Sequence, residues 1–288
     1  MNLLEIAKVF FERFDFTEEQ LEQYKETNSK NDMVYPENIK EGFQNALVYF
    51  LEIDTHENQP VTLGCSKLGG LPDLPEQLEF PEKYVFIGQF NIADFKQFDI
   101  NNVFPDKGII YLFSSIDCGK TLFYDGPMDQ LKPREYLNSV LSQDEQLQKE
   151  LETEVRISYT PKLTFNDMFY PKDRVLTEED WIKLMGDIPG FSQHPSRIHL
   201  LGLGNYQQEG VSEAYDVLGD PNDHEDDFEE WIKLMYQFDK WLPNQFHFFS
   251  YETNYGGFNM NFWVDSKMDE GFRDGNFHKK IIVVGSTT

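Results

Sequence analysis

Tyr84-Val85-Phe86-Ile87-Gly88-Gln89-Phe90 and Gly108-Ile109-Ile110-Tyr111-Leu112-Phe113 are short apolar runs rich in β-branched and aromatic residues. Each lies between Gly, Pro or Asp turn residues, so each reads as a largely buried strand. Ala46-Leu47-Val48-Tyr49-Phe50-Leu51 has the same character, and residues 155–159, 198–203, 246–251, 258–264 and 280–284 are further strand candidates. Ahead of them the period lengthens. Leu3, Ala7, Phe10 and Phe14, flanked by Leu4, Ile6 and Phe11, recur at helical spacing and make one broad apolar face. Its polar side carries Glu5, Glu12 and Asp15 rather than a basic stripe, which favours a packing helix over a membrane-seeking one. Thr17 opens a second helix, with Gln20 in capping-box position and Phe16 and Leu21 placed as a hydrophobic staple. Residues 131–151 read as another helix, with Ser142 and Glu145 as its capping pair. Strands and helices do not alternate strictly, so the fold class is α+β: N-terminal helices, then mixed or antiparallel sheets.

The expected organisation is one unit over residues 1–288, with helices at 1–45, a first lobe at 50–165 and a second at 166–288. A local duplication suggests the two lobes. Trp181-Ile182-Lys183-Leu184-Met185 recurs as Trp231-Ile232-Lys233-Leu234-Met235. Acidic residues precede both copies, and a Pro-containing loop and a His-bearing apolar run (His199-Leu200-Leu201; His247-Phe248-Phe249) follow each.

The 288 residues carry 25 Lys+Arg against 51 Asp+Glu, a net charge of 25 − 51 = −26. Such a polyanion is repelled by phosphate backbones and anionic bilayers, which argues against nucleic-acid and membrane-surface partners. With 26 Phe, 14 Tyr and 4 Trp there is enough area to offset chain entropy, so disorder is also disfavoured. Cys65 and Cys118 are the only cysteines, too few for a disulfide framework. No basic n-region opens the chain and no apolar run is long enough to span a bilayer, so the expected location is cytoplasmic.

Chemistry-bearing motifs are sparse. Residues 64–75, Gly-Cys-Ser-Lys-Leu-Gly-Gly-Leu-Pro-Asp-Leu-Pro, are the most distinctive stretch. Gly69 and Gly70 follow the lysine rather than one of them immediately preceding it, so the stretch is no phosphate loop, and Leu68 replaces the second glycine of a nucleophile elbow. Gly69, Gly70, Pro72 and Pro75 instead describe a rigid, irregular connection. Cys65 beside Lys67 raises the question of an activated thiol, but no His partner is indicated. The six histidines form no zinc pattern, and His199 reads as a hydrogen-bonded interior residue. Asp220, Asp223, Glu225, Asp226, Asp227, Glu229 and Glu230 crowd one segment without the glycine or alternation of a calcium loop. They suit a solvated helix start or a docking surface for a basic protein.

Three ordered segments, 66–75, 86–94 and 104–113, resemble the YwqG-like family of uncharacterised bacterial proteins. They are Ser-Lys-Leu-Gly-Gly-Leu-Pro-Asp-Leu-Pro, Phe-Ile-Gly-Gln-Phe-Asn-Ile-Ala-Asp and Phe-Pro-Asp-Lys-Gly-Ile-Ile-Tyr-Leu-Phe. Downstream, Leu200-Leu201-Gly202 and Gln208 fit the family's His-x-Leu-Leu-Gly segment and following Gln, with His199 one place late. Phe248–Glu252 and Gly257–Val264 look like its second strand pair, with Ser250 and Asn254-Tyr255-Gly256 replacing the usual Gln and acidic loop. The resemblance implies an α+β fold with two related sheet-forming halves and no established activity. It also implies interaction or immunity-type roles suspected for some members.

The function expected from these readings is a non-catalytic, cytoplasmic interaction protein that sequesters a basic partner, without cofactor or metal. The alternative is a small-molecule-binding protein or enzyme with a cleft between the lobes, lined by Lys67, Gln89, Asn91, His199 and Gln208. The sequence carries no signal for oligomeric state.

Overall fold

The computed structural model describes residues 2–30, 36–81, 83–100, 102, 104–114, 119–135, 145–165, 175–192, 198–202, 245–252, 259–265 and 281–286. In chain order the helices are α1 (Leu3–Arg13), α2 (Glu18–Lys30), α3 (Ile39–Asn45), α4 (Ile92–Phe95), α5 (Glu145–Glu150) and α6 (Glu178–Asp187). The strands are β1 (Leu47–His56), β2 (Lys67–Leu68), β3 (Asp73–Pro75), β4 (Val85–Asn91), β5 (Ile109–Ser114) and β6 (Gly119–Tyr124). After them come β7 (Leu131–Pro133), β8 (Val155–Phe165), β9 (Ile198–Leu200), β10 (Gln245–Glu252), β11 (Asn259–Asp265) and β12 (Ile281–Ser286). This is the expected α+β class.

Two compact units divide the chain, which passes from one to the other within β1, after Phe50, and within β8, after Thr160. The first holds described residues 2–50 and 161–192, and the second the remaining described residues.

In the first unit, α1 starts at a capping box: Asn2 Oδ1 accepts from Glu5 N, and Glu5 Oε2 accepts from Asn2 N. The reciprocal pair between Thr17 and Gln20 starts α2, at 2.9 and 3.2 Å, as the sequence predicts. The apolar face of α1 is spent on packing. Phe11 meets Phe43 of α3 at 5.5 Å and Phe165 of β8 at 5.8 Å, and Phe43 meets Phe165 at 5.8 Å. Trp181 of α6 tilts onto Phe165 at 5.1 Å, while its neighbour Ile182 is exposed.

The second unit is built on a sheet whose order among the described residues is β12-β11-β10-β9-β1-β8-β2-β4-β5-β6. Its predicted strands fall where the periodicity puts them, to within a few residues. Two arms run outward from the central neighbours β1 and β8, and their registers match. Lys67 and Leu68 of β2 face Gln89 and Gly88 of β4, as His199 and Leu200 of β9 face Ser250 and Phe249 of β10. A bulge falls between Phe86 and Gly88 in β4, and another between His247 and Phe249 in β10, at corresponding rungs. The outermost strands β6 and β12 approach each other, so neither edge of the order is far from the other.

One expectation needs correction. Of the helix predicted over 131–151, the described residues show helix at Glu145–Glu150, α5, but not at the start, and residues 136–144 lie outside the described residues. Its start is β7, which pairs antiparallel with β3 through Leu131↔Pro75, Leu74↔Lys132 and Asp73↔Pro133. Local spacing suggests a helix, but burial of Leu131 with Leu74, Ile109 and Tyr124 in the core decides for the strand. Ser142 lies outside the described residues. β6 was not anticipated; it pairs with β5 from Ile109↔Tyr124 to Ser114↔Gly119.

Candidate functional site

The polar residues that interrupt apolar strands gather under residues 64–75. Lys67 and Gln89 are register partners on β2 and β4, and both side chains are buried. A buried ammonium needs counter-charge. Lys67 Nζ lies 3.3 Å from Asp73 Oδ1 and 3.0 Å from Glu154 Oε2; the Lys67 side chain is 2 % exposed, that of Glu154 46 %. Gln89 reads the loop from the other side. Its Nε2 donates to Asp73 Oδ2 and to Cys65 O, each at 2.8 Å, and its Oε1 accepts from Asp73 N at 2.9 Å. Gly64 N donates to Asp73 Oδ2 at 2.8 Å, and Tyr111 of β5 donates through its hydroxyl to Asp73 O at 2.7 Å. Burial, reinforced by the Asp73 charge, pushes the Tyr111 phenol well up, so it stays a neutral donor.

A second set surrounds Asn91 at the end of β4. Asn91 Oδ1 caps α4 by accepting from Ala93 N at 3.1 Å, while its Nδ2 donates to Gly64 O at 2.9 Å. Ser66 Oγ accepts from Asn91 N at 2.9 Å and donates to Asp94 Oδ2 at 2.7 Å. The buried hydroxyl of Tyr159, beside Ser66 and Asp94, has no hydrogen-bond partner of good geometry among the described residues. Burial holds this phenol well above its ordinary value.

The glycines make the loop's shape attainable. Gly69 and Gly70 sit at φ 65° and 67°, and a Cβ on Gly69 would come within 2.6 Å of Thr153 O. Gly70 N donates to Leu151 O at 2.7 Å, and Pro72 O accepts from Arg134 N at 3.0 Å. Pro75 lies in β3. The loop is thus stitched to β4, β5, β7 and the segment after α5.

Of the five expected lining residues, the structure brings Lys67, Gln89 and Asn91 together around this loop. His199 is buried on β9, opposite Glu52 and Ser250. The order β9-β1-β8-β2 puts it three strand spacings from Lys67, about 14 Å along the sheet. Gln208 and the acidic residues Asp220, Asp223, Glu225, Asp226, Asp227, Glu229 and Glu230 lie outside the described residues, as does Cys118. Cys65 is half-buried, and the Lys67 ammonium beside it in sequence is engaged by Asp73 and Glu154. His56 Nε2 sits 2.7 Å from Ser158 Oγ, a contact between strands. Sequence reasoning missed Asp73, Glu154, Tyr111, Ser66, Asp94 and Tyr159 as members of this site. Asp73 carried a signal, an opposite charge six residues from an interior lysine; Glu154 carried none.

Chemically, the Lys67 set is a closed account. Gln89 uses both amide protons and its carbonyl on the protein itself, and the buried ammonium is matched by carboxylates. Among the described residues no group of three or more His, Cys, Asp or Glu is placed to hold a metal ion, and no helix is long and apolar enough to cross a membrane.

An α+β protein with a largely antiparallel sheet and a buried, ion-paired loop is the class these features define. The chain belongs to the family described as Domain of unknown function (DUF1963), whose model matches residues 66–267, more than half of its length. The match begins at Ser66, inside the stitched loop. No curated protein matches the chain.

Proposed function

We propose that this chain is a non-catalytic protein-interaction module, of an immunity type, that works in the cytoplasm by holding a basic protein partner. The observation that carries the reading is the charge: 51 acidic against 25 basic side chains on one chain of 288 residues. A field of that sign raises the encounter rate with a cationic surface and lowers it with nucleic acid or an anionic bilayer. The chemistry under residues 64–75 is consistent with it, because Lys67, Gln89 and Asn91 bond to the protein rather than facing a substrate. The residues proposed to meet the partner are the seven carboxylates between Asp220 and Glu230. The matched registers of the two arms support a further part of the reading, that residues 50–165 and 166–288 are halves of an internal duplication.

The test is affinity capture from native lysate at low and high salt, followed by reconstitution with the purified captured protein. The expected result is a basic protein whose Kd rises steeply with salt, and whose binding is lost when the 220–230 carboxylates are neutralised to amides. Binding indifferent to both changes would overturn the proposal. A small-molecule-binding role is the second reading, favoured by the buried Tyr159 hydroxyl, whose contact with Ser66 is not a well-formed hydrogen bond and which a polar ligand would satisfy.

A further inference from the structure

Lys96 ends α4 and opens a short loop that closes around its own ammonium. Nζ donates to Asp99 Oδ2 at 3.0 Å, to Asn102 Oδ1 at 2.8 Å and to the Phe104 carbonyl at 2.6 Å. Three N–H donors thus meet three oxygens, and Asp106 Oδ1 stands off at 3.9 Å. The oxygens are a carboxylate, an amide and a peptide carbonyl drawn from one contiguous segment, the kind of hard-oxygen set by which chains hold free cations. Asn102 takes φ 50° to aim its amide, and Asp99 Oδ2 also accepts from Phe104 N at 2.9 Å. The Asp99 side chain is 1 % exposed, so the charge facing the ammonium is a buried one. The closure has a consequence for the core. It seats Phe104 edge-on against Phe95 at 5.1 Å, and Phe95 packs on Tyr159 at 5.1 Å.

We propose that Asp99, Asn102 and the Phe104 carbonyl form a binding site for a small primary ammonium ion, with Lys96 as its tethered occupant. The site's selectivity follows from its geometry. Three acceptors at hydrogen-bond distance reward a cation that carries three N–H donors, and one buried carboxylate matches one positive charge. The Lys96 side chain is 22 % exposed, so the place it fills is reachable from solvent once the side chain is shortened. A fully alkylated ammonium carries the same charge but has no donor to offer. Neither the acidity of the chain nor its proposed partner enters this inference, and it stands or falls apart from them.

The experiment is chemical rescue of the full-length K96A variant, read as thermal unfolding. Tm should fall by about 5 °C or more, since the buried Asp99 loses a charge partner. Added methylammonium chloride should restore at least about half of that loss, as expected when a ligand binds only the folded state. Tetramethylammonium chloride at the same concentration should not, and the K96A/D99N double variant should respond to neither. If K96A does not fold in plain buffer, the same comparison is made on its refolded yield from urea. Equal effects of the two salts, or a K96A variant as stable as the parent, would overturn the proposal.

Discussion

Lys67 illustrates how a charged side chain is tolerated inside an apolar strand. Its ammonium is buried between Asp73 and Glu154, and Asp73 in turn holds Gly64 N and the Gln89 amide. Breaking such a pair costs more than making it contributes, because the surviving charge stays behind in low dielectric. Replacement of Lys67 by Met, close in volume, therefore removes about 3–5 kcal/mol of stability, the figure typical of a widowed buried charge. Equilibrium urea unfolding measures it, and an unchanged midpoint would mean that the loop does not depend on the pair. Tyr111 contributes from the facing strand. Its phenol is kept protonated by burial and by Asp73, and it secures the backbone of the same aspartate whose side chain the lysine holds.

Elements in this protein begin where short-range chemistry tells them to. The start of α2 rests on two bonds exchanged between Thr17 and Gln20 within one turn, and α6 starts at Thr177, whose side chain accepts from Asp180 N. Thr17→Ala should cost about 1 kcal/mol in the same denaturation assay. Combining it with Gln20→Ala should cost less than the sum of the single changes, because either loss alone opens the reciprocal box. Strand boundaries obey local signals less strictly. β7 lies at the head of a segment whose spacing is helical, and it is a strand because β3 offers Asp73–Pro75 as a ladder and the core takes Leu131. The bulges at Phe86/Gly88 and His247/Phe249 belong to this scale too. Each re-aims the second strand of its arm at the rung where the short strand joins it.

At the scale of the whole molecule, buried tyrosines titrate together with the fold. Tyr24 is pushed up to about 12 by burial, with the charge of Glu41 adding to it against an opposing bond from Asn28. Tyr111, Tyr159 and Tyr251 are also raised, all three chiefly by burial. Unfolded tyrosines lose their protons near pH 10, so between that pH and the folded values the native state binds more protons than the unfolded one. Stability should therefore be insensitive to these groups below about pH 10 and fall as pH rises above it. Phenolate absorbance followed alongside circular dichroism tests this, the buried tyrosines ionising only as ellipticity is lost. Complete ionisation with native ellipticity would contradict it. What the amino-acid sequence determined by itself is local: the Thr17/Gln20 cap of α2, the apolar face of α1, the strands of both arms other than β2 and β6, and Lys67, Gln89 and Asn91 as polar interruptions worth noting. Their signals lie within one turn or one strand, where periodicity and side-chain-to-backbone bonds operate. Tertiary structure alone decided that Glu154, 87 residues away, meets Lys67, and that Asp73, 38 residues before Tyr111, is its acceptor. It also decided that β1 and β8 stand between Lys67 and His199. Those outcomes depend on which strands become neighbours, and neighbour choice is set by burial summed over the whole sheet rather than by any residue's own sequence surroundings.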